Sequence, residues 1–108
     1  MQKKTTPKKK KNARLPYVII RAHNAGVHAG ELAARNGTSV TLHNARRIWY
    51  WSGAASLSEL AVYGAKNPSS CKFGVCIAVQ EIIGDVCEII HCQPAGEKMI
   101  REQVEWRV

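Results

Sequence analysis

Arg46 and Arg47 are followed at once by Trp49, Tyr50 and Trp51 in the stretch ARRIWYWSGAASLSELA, where the residue types converge on a ligand. On a strand, alternation puts Arg47, Trp49 and Trp51 on one side and Arg46, Ile48 and Tyr50 on the other. An arginine beside an indole can hold a phosphate through its forked N–H groups while a base stacks on the ring. Ser52-Gly53-Ala54-Ala55 then leads into a helix start at Ser56, where free amides and the helix dipole favour an anion. The competing assignment gives Ile48 and the tryptophans to the core and pairs the arginines with acids. A domain this small with three tryptophans is expected to bury at least one.

Other clusters carry weaker signals. His28 stands in RAHNAGVHAGEL between Gly26 and Gly30, where glycines let a ligand or another backbone come close. It is read either as a ligand contact or as a structural histidine bonded to a neighbour such as Asn44. Cys71, Cys76, Cys87 and Cys92 form two C-x4-C pairs, with His91 beside the last. Zinc knuckles usually draw two thiolates from C-x2-C, so this wider spacing argues against a metal and the thiols are read as small buried hydrophobes. Lys72 would lower the pKa of the Cys71 thiol, but no base can be placed beside it. Glu81 and Glu88 face one another in only one of two strand registers. Nucleophile-elbow, zinc-protease, phosphate-loop and dinucleotide signatures are all missing. A non-enzymatic protein without a cofactor is therefore expected, with an uncharacterised enzyme as an alternative.

The elements that must position these residues are legible in outline. PYVIIRAHN alternates as a first strand, and VHAGELAARNGTSVTLHN reads as a hairpin around Asn36-Gly37. A three-residue loop, Arg35-Asn36-Gly37, pairs Leu32 with Val40 and Gly30 with Leu42, and so separates apolar from polar better than a two-residue turn. It places His28, Gly30, Leu32, Ala34, Val40, Leu42 and Asn44 on one face, with Glu31, Ser39, Thr41 and His43 on the other. Ser56-Leu57-Ser58-Glu59 is a capping box opening a short helix, with Gly64 and Pro68 as stop signals. CKFGVCIAVQEIIGDVCEIIHC reads as a second hairpin turning at Gly84-Asp85; a two-residue turn opposes Glu81 and Glu88, and a three-residue turn opposes Cys76 and Cys92. GEKMIREQVEWRV closes the core with Ile100, Val104 and Trp106, as a short helix or an irregular segment. The expectation is an α+β domain over 16–108 with a small, mostly antiparallel sheet of about five strands in the order β-β-β-α-β-β, one short capped helix and a C-terminal extension.

Charge is distributed unevenly along the 108 residues. Of 16 basic side chains, seven fall in residues 1–15, which hold no acid; the other nine face eight acids. The folded part is thus nearly neutral, and Arg46 and Arg47 are not part of a general basic surface. Residues 1–15 lack apolar content and are expected to be disordered, with Lys8, Lys9, Lys10 and Lys11 acting as a salt-sensitive tether to nucleic acid or as a solubilising extension. No run approaches the roughly 18 apolar residues of a membrane span, and no apolar stretch follows the basic start as in a signal peptide, so a cytoplasmic location is expected.

AGVHAGEL, ARRIWYW-SGA-SLSELA, Cys71-Lys72-Phe73 and the EII-x-C ending at Cys92 together resemble a family of small uncharacterised proteins, domains of unknown function, encoded by tailed bacteriophages and prophages. The likeness covers roughly Tyr17 to Trp106. It implies an accessory protein of the bacterial host cytoplasm, where thiols stay reduced, and carries no catalytic residues. By analogy of class, such proteins bind host proteins, nucleic acid or nucleotide signals used in host defence. The leading expectation is a non-enzymatic binder of a nucleotide-type or nucleic-acid ligand that sequesters a host defence signal, with Arg46 and Arg47 on phosphate, Trp49 or Trp51 stacking, and Ser56 and His28 completing the site. The alternative is a protein-interaction or self-assembling module that acts on a host protein, with the aromatic stripe as an interface.

Overall fold

Every position of β1 (Tyr17–Ala22) except Arg21 is buried in the computed structural model, which describes residues 14–108. Lys8 to Lys11, and most of the segment expected to be disordered, lie outside these residues. A strand buried on both faces must separate two cores. On one side Tyr17 and Ile19 pack with Ala29, Ile48, Leu60, Phe73 and Ile100, which belong to helices and strands alike. On the other, Val18, Ile20 and Ala22 meet Val40, Leu42, Ala45, Ile82 and Val86, all from strands or their ends. Each fully buried Ile or Val side chain there contributes about 1.5–3 kcal/mol relative to exposure.

The second core exists because the sheet curls. β2 (Gly26–Asn36) and β3 (Ser39–Tyr50) follow β1 as antiparallel neighbours, and β4 (Lys72–Phe73) pairs with the end of β3. β5 (Ile77–Ile82) and β6 (Val86–His91) do not form the expected hairpin with each other. β5 pairs with β3, matching Val40 with Ile82 and Leu42 with Gln80, while β6 pairs with β1 on the far side of the sheet. In a flat sheet these two strands would lie four spacings, or about 19 Å, apart. The chain from Ile82 to Val86 spans at most about 14 Å. The sheet therefore rolls its two edges together, and Glu81 no longer opposes Glu88, nor Cys76 Cys92. Glu88 instead lies opposite Arg21 and pairs with it at 2.8 Å.

The first hairpin forms in a different register from the one expected. Asn36 pairs with Ser39, leaving Gly37-Thr38 as the turn with Gly37 at φ +62°, and Leu32 lies opposite Leu42. Apolar matching survives because the ladder shifts between Leu32 and Ala34, a break that an unbroken pairing scheme does not anticipate. A second shift falls near Asn44, whose φ of +52° is one that asparagine tolerates better than most residues. It lets Leu42 and Ala45, three apart, both enter the strand-lined core. Every side chain after Asn44 is thereby set on the face opposite to the one simple alternation assigns.

α1 (Leu57–Tyr63) starts where the capping signature places it, with Glu59 N–H donating to Ser56 Oγ at 3.1 Å. Gly64, at φ +79°, ends it by donating its N–H to Leu60 O at 2.9 Å. Pro68 does not merely stop this helix; it opens a short 3-10 turn, Pro68–Ser70. The C-terminal extension contains α2 (Pro94–Glu102), which crosses α1 so closely that a Cβ at Gly96 would sit 2.0 Å from Ala61 O. The result is an α+β fold: two helices cover one side of a curled antiparallel sheet. Among the described residues no helix is long and apolar enough to cross a membrane.

Candidate functional site

Arg46 and Arg47 point to opposite faces of β3, and only one of them remains available. Arg46 is buried, and its guanidinium donates to four backbone carbonyls: Gly74 O at 3.0 Å, Phe73 O at 3.1 Å, Ile100 O at 2.9 Å and Gln103 O at 2.8 Å. The last two belong to the end of α2, where carbonyls lack helical partners and the dipole favours a cation. Arg46 thus ties the C-terminal helix to β3 and to the segment after β4. Burial pushes its pKa down, while Tyr17, Cys76 and Glu105 oppose the shift, and a guanidinium stays charged in any case. The phosphate role expected of Arg46 is replaced by this internal one.

Two further expected members of the site also serve the fold. Trp51 lies past the end of β3 and packs, partly buried, against the helix-side core, so the Arg47-Trp49-Trp51 stripe is broken after Trp49. At Ser56 the side chains already cap the helix start: Ser56 Oγ accepts from Glu59 N–H, and Glu59 Oε1 accepts from Ala55 N–H, just before the cap, at 2.7 Å. The Glu59 carboxylate makes that terminus hostile to a second anion. Gly53 serves the chain's own backbone rather than a phosphate. A Cβ there would fall 2.6 Å from the amides of Lys66 and Asn67, and Gly53 O accepts from Lys66 N–H at 3.0 Å.

Arg47 has the opposite surroundings. Its guanidinium lies 4.0 Å from the centre of the Trp49 ring, and it makes no ion pair or side-chain hydrogen bond among the described residues. Two acids, Glu81 and Asp85, line a cleft beside it; Asp85 is engaged by Asn24 and Ala25, and neither acid is within ion-pair distance of Arg47. Trp49 is 54 % exposed. Beside it stands Trp106, 42 % exposed, with the two rings edge to face at 6.2 Å, and Lys72 lies 5.4 Å from the Trp106 ring. Cation, indole, indole and cation thus follow one another across the surface. Trp106 reaches this place because its N–H donates to Phe73 O at 2.8 Å, which lays the C-terminal segment along β4.

Arg47 also borders an open cleft of about 540 Å³ that is lined by His28, Gln80, Asn24 and Asp85 among others. The register puts Arg47 directly opposite His28, and His28 opposite Ile20, so all three belong to the concave face of the sheet. His28 is buried, and its Nε2 donates to Ala25 O at 2.7 Å rather than bonding Asn44. Burial pushes its pKa down, the Arg47 charge pushes the same way, and the Ala25 carbonyl opposes both. The ring is accordingly neutral, with a bare lone pair on Nδ1, and that atom has no partner. Gln80 Oε1 is likewise buried and unpartnered. Asp85 fastens the loop at the rim: it accepts from the N–H groups of Asn24 and Ala25 at 2.8 and 2.7 Å, which holds its carboxyl below the usual range. Glycines around His28 serve close approach, as the spacing suggested: a Cβ at Gly26 would sit 2.6 Å from the Arg47 guanidinium.

The cysteines do not share one environment. Cys71 is buried, but Cys76 and Cys87 are exposed and Cys92 is half-buried, with burial pushing its thiol up to about 12. Treating all four as buried hydrophobes therefore holds for Cys71 alone: Cys87 lies on the edge strand β6, and Cys76 and Cys92 lie just outside β5 and β6.

The profile of a domain of unknown function, DUF6948, matches residues 15–100. The chain belongs to this family. Its matched segment spans all six strands, α1 and most of α2, so the curled sheet, Arg47, Trp49 and the cleft all belong to the DUF6948 domain, whereas Trp106 lies beyond it. No curated protein and no solved structure matches the chain.

Proposed function

We propose that this DUF6948 protein binds a nucleotide-type or single-stranded nucleic-acid ligand, with Arg47 and Lys72 meeting its anionic groups and Trp49 and Trp106 stacking its bases. The observation that carries this reading is the Arg47 guanidinium, which lies 4.0 Å from the centre of the Trp49 ring and makes no ion pair among the described residues. A guanidinium stacked flat on an indole keeps its N–H groups directed outward in its own plane, the geometry that grips a phosphate or a base edge. Stacking on an exposed indole is worth about 1–3 kcal/mol per base and tolerates any base. On this proposal, which takes up the phage resemblance read from the sequence, the protein would act in a host cytoplasm and sequester a nucleotide signal or a nucleic acid rather than convert it. Titrating the full chain with nucleoside 5′-monophosphates and short single-stranded oligonucleotides should quench tryptophan fluorescence, and Arg47→Ala with Trp49→Ala should abolish the response in a folded protein. Unchanged binding by that double variant would overturn the proposal.

A second reading, a self-assembling or protein-binding module, is favoured by β5, whose Ile77 and Val79 are exposed and whose only strand partner among the described residues is β3. Light scattering on the ligand-free protein tests it: a stable oligomer that Val79→Lys dissolves would support this reading, and a monomer would oppose it.

A further inference from the structure

The cleft beside Arg47 carries a hydrogen-bonding code that the stacking platform does not. Two acceptors line it without partners, His28 Nδ1 and Gln80 Oε1. The His28 tautomer is fixed, because a ring nitrogen 2.7 Å from the Ala25 carbonyl must donate, which leaves Nδ1 only able to accept. Gln80 lies opposite Leu42, whose side chain is in the concave core, so its amide faces the same hollow. Buried acceptors without donors cost stability, and one way to recover that cost is a ligand that brings N–H groups. Arg47 adds donors only and stands directly opposite His28. Two acids line the cleft as well. Both Asp85 oxygens are engaged by Asn24 and Ala25, and the Glu81 carboxylate adds a further acceptor.

The unpartnered pair of acceptors, with the Arg47 donors beside it, asks for a ligand edge made of one acceptor beside two donors. Among the common bases only guanine has it, with O6, N1–H and the N2 amino group in a row. Adenine and cytosine each bring one amino donor beside ring acceptors, and uracil places its one donor between two acceptors. We propose that this cleft reads the Watson–Crick edge of guanine, with O6 on Arg47 and the N1–H and N2 amino donors shared between His28 Nδ1 and Gln80 Oε1. The proposal rests on the nucleotide reading above and adds the identity of the base. A cleft of about 540 Å³ lies within the size range of small-molecule sites. His28 Nδ1 is sealed from solvent, so this binding requires a side chain of the cleft to move aside as the base enters. Single-stranded nucleic acid would then cross Trp49 and Trp106 with one guanine turned into the hollow.

The test changes the ligand rather than the protein. Binding of guanosine, inosine, adenosine, cytidine and uridine 5′-monophosphates to the full chain is measured by calorimetry. Guanosine monophosphate should bind about tenfold more tightly than the adenosine, cytidine and uridine compounds. It should also bind about fivefold more tightly than inosine monophosphate, which lacks only the N2 amino group. Gln80→Leu should remove the difference between guanosine and inosine, and guanosine monophosphate should shift the His28 Nδ1 nitrogen resonance. Equal binding of all five compounds, lost in Arg47→Ala, would overturn the base assignment and leave the nucleotide reading standing. A guanosine preference that ignores both inosine and Gln80→Leu would also overturn it. No binding by any of the five would overturn this inference and the nucleotide reading together.

Discussion

Arg46 and Arg47 are chain neighbours of the same type, and β3 gives them opposite occupations. One is buried under the helix-side core and grips four carbonyls, from the end of β4, the residue after it and the end of α2. The other lies on an indole at the mouth of the concave face and makes no ion pair among the described residues, although Glu81 and Asp85 line the same cleft. Strand alternation makes the division, and the shift at Asn44 decides which arginine goes where. Cationic residues on a nearly neutral domain therefore need not share a purpose. The one whose donors are already taken is structural, and the one whose donors are open is the candidate for a ligand.

Loss of Arg46 should have the largest effect. Arg46→Met keeps much of the side-chain volume but leaves the four carbonyls without a donor, and urea unfolding should show a loss of about 3–5 kcal/mol. Arg47→Ala should cost about 1 kcal/mol or less by the same measurement, since only the contact with Trp49 is lost. Equal losses would break the contrast. The α2 anchor that Arg46 holds can also be attacked from the other side. Gly96→Ala forces a methyl group against Ala61 O, and the helix pair should separate at a cost of about 1–3 kcal/mol, seen as a lower thermal midpoint. Next in size is the helix start: Ser56→Ala should cost about 1 kcal/mol, and it should leave nucleotide binding unchanged if the anion lies at Arg47 rather than at α1.

Acid should weaken the concave face in two stages. His28 is held below its ordinary pKa in the folded chain, so the unfolded chain takes up its proton first and stability declines as pH falls below about 6.5. Asp85 is also held down, by the N–H groups of Ala25 and Asn24; its contribution is complete above about pH 4 and is lost as pH falls through the folded value. Asp85→Asn should abolish the lower stage and spare the upper one in urea titrations across this range. Loss of both stages at once would show that the loop and His28 are not separable.

Local signals in the sequence were enough for β1, for the start and end of α1, and for singling out the Arg-Trp stretch as a candidate site, because capping, alternation and glycine spacing act over a few residues. What they could not convey was set at long range. The GD step at Gly84-Asp85 looks like a hairpin, yet its strands join opposite edges, a choice made by curling the whole sheet. Arg46 finds its carbonyls at Ile100 and Gln103, more than 50 positions away, and nothing near Arg46 announces them. Trp106 and Lys72 complete the aromatic surface only because the C-terminal segment lies along β4. Gln80 gave no signal at all, since its significance lies in lacking a partner. His28 was legible through its flanking glycines, though not the carbonyl of Ala25 that fixes its ring.

The division between the two arginines is tested most directly by measuring nucleoside monophosphate binding and urea stability together on Arg47→Ala in the full chain. The account predicts stability within about 1 kcal/mol of the parent protein and binding reduced at least tenfold. A variant that binds as the parent does, or one that unfolds as readily as Arg46→Met, would contradict it.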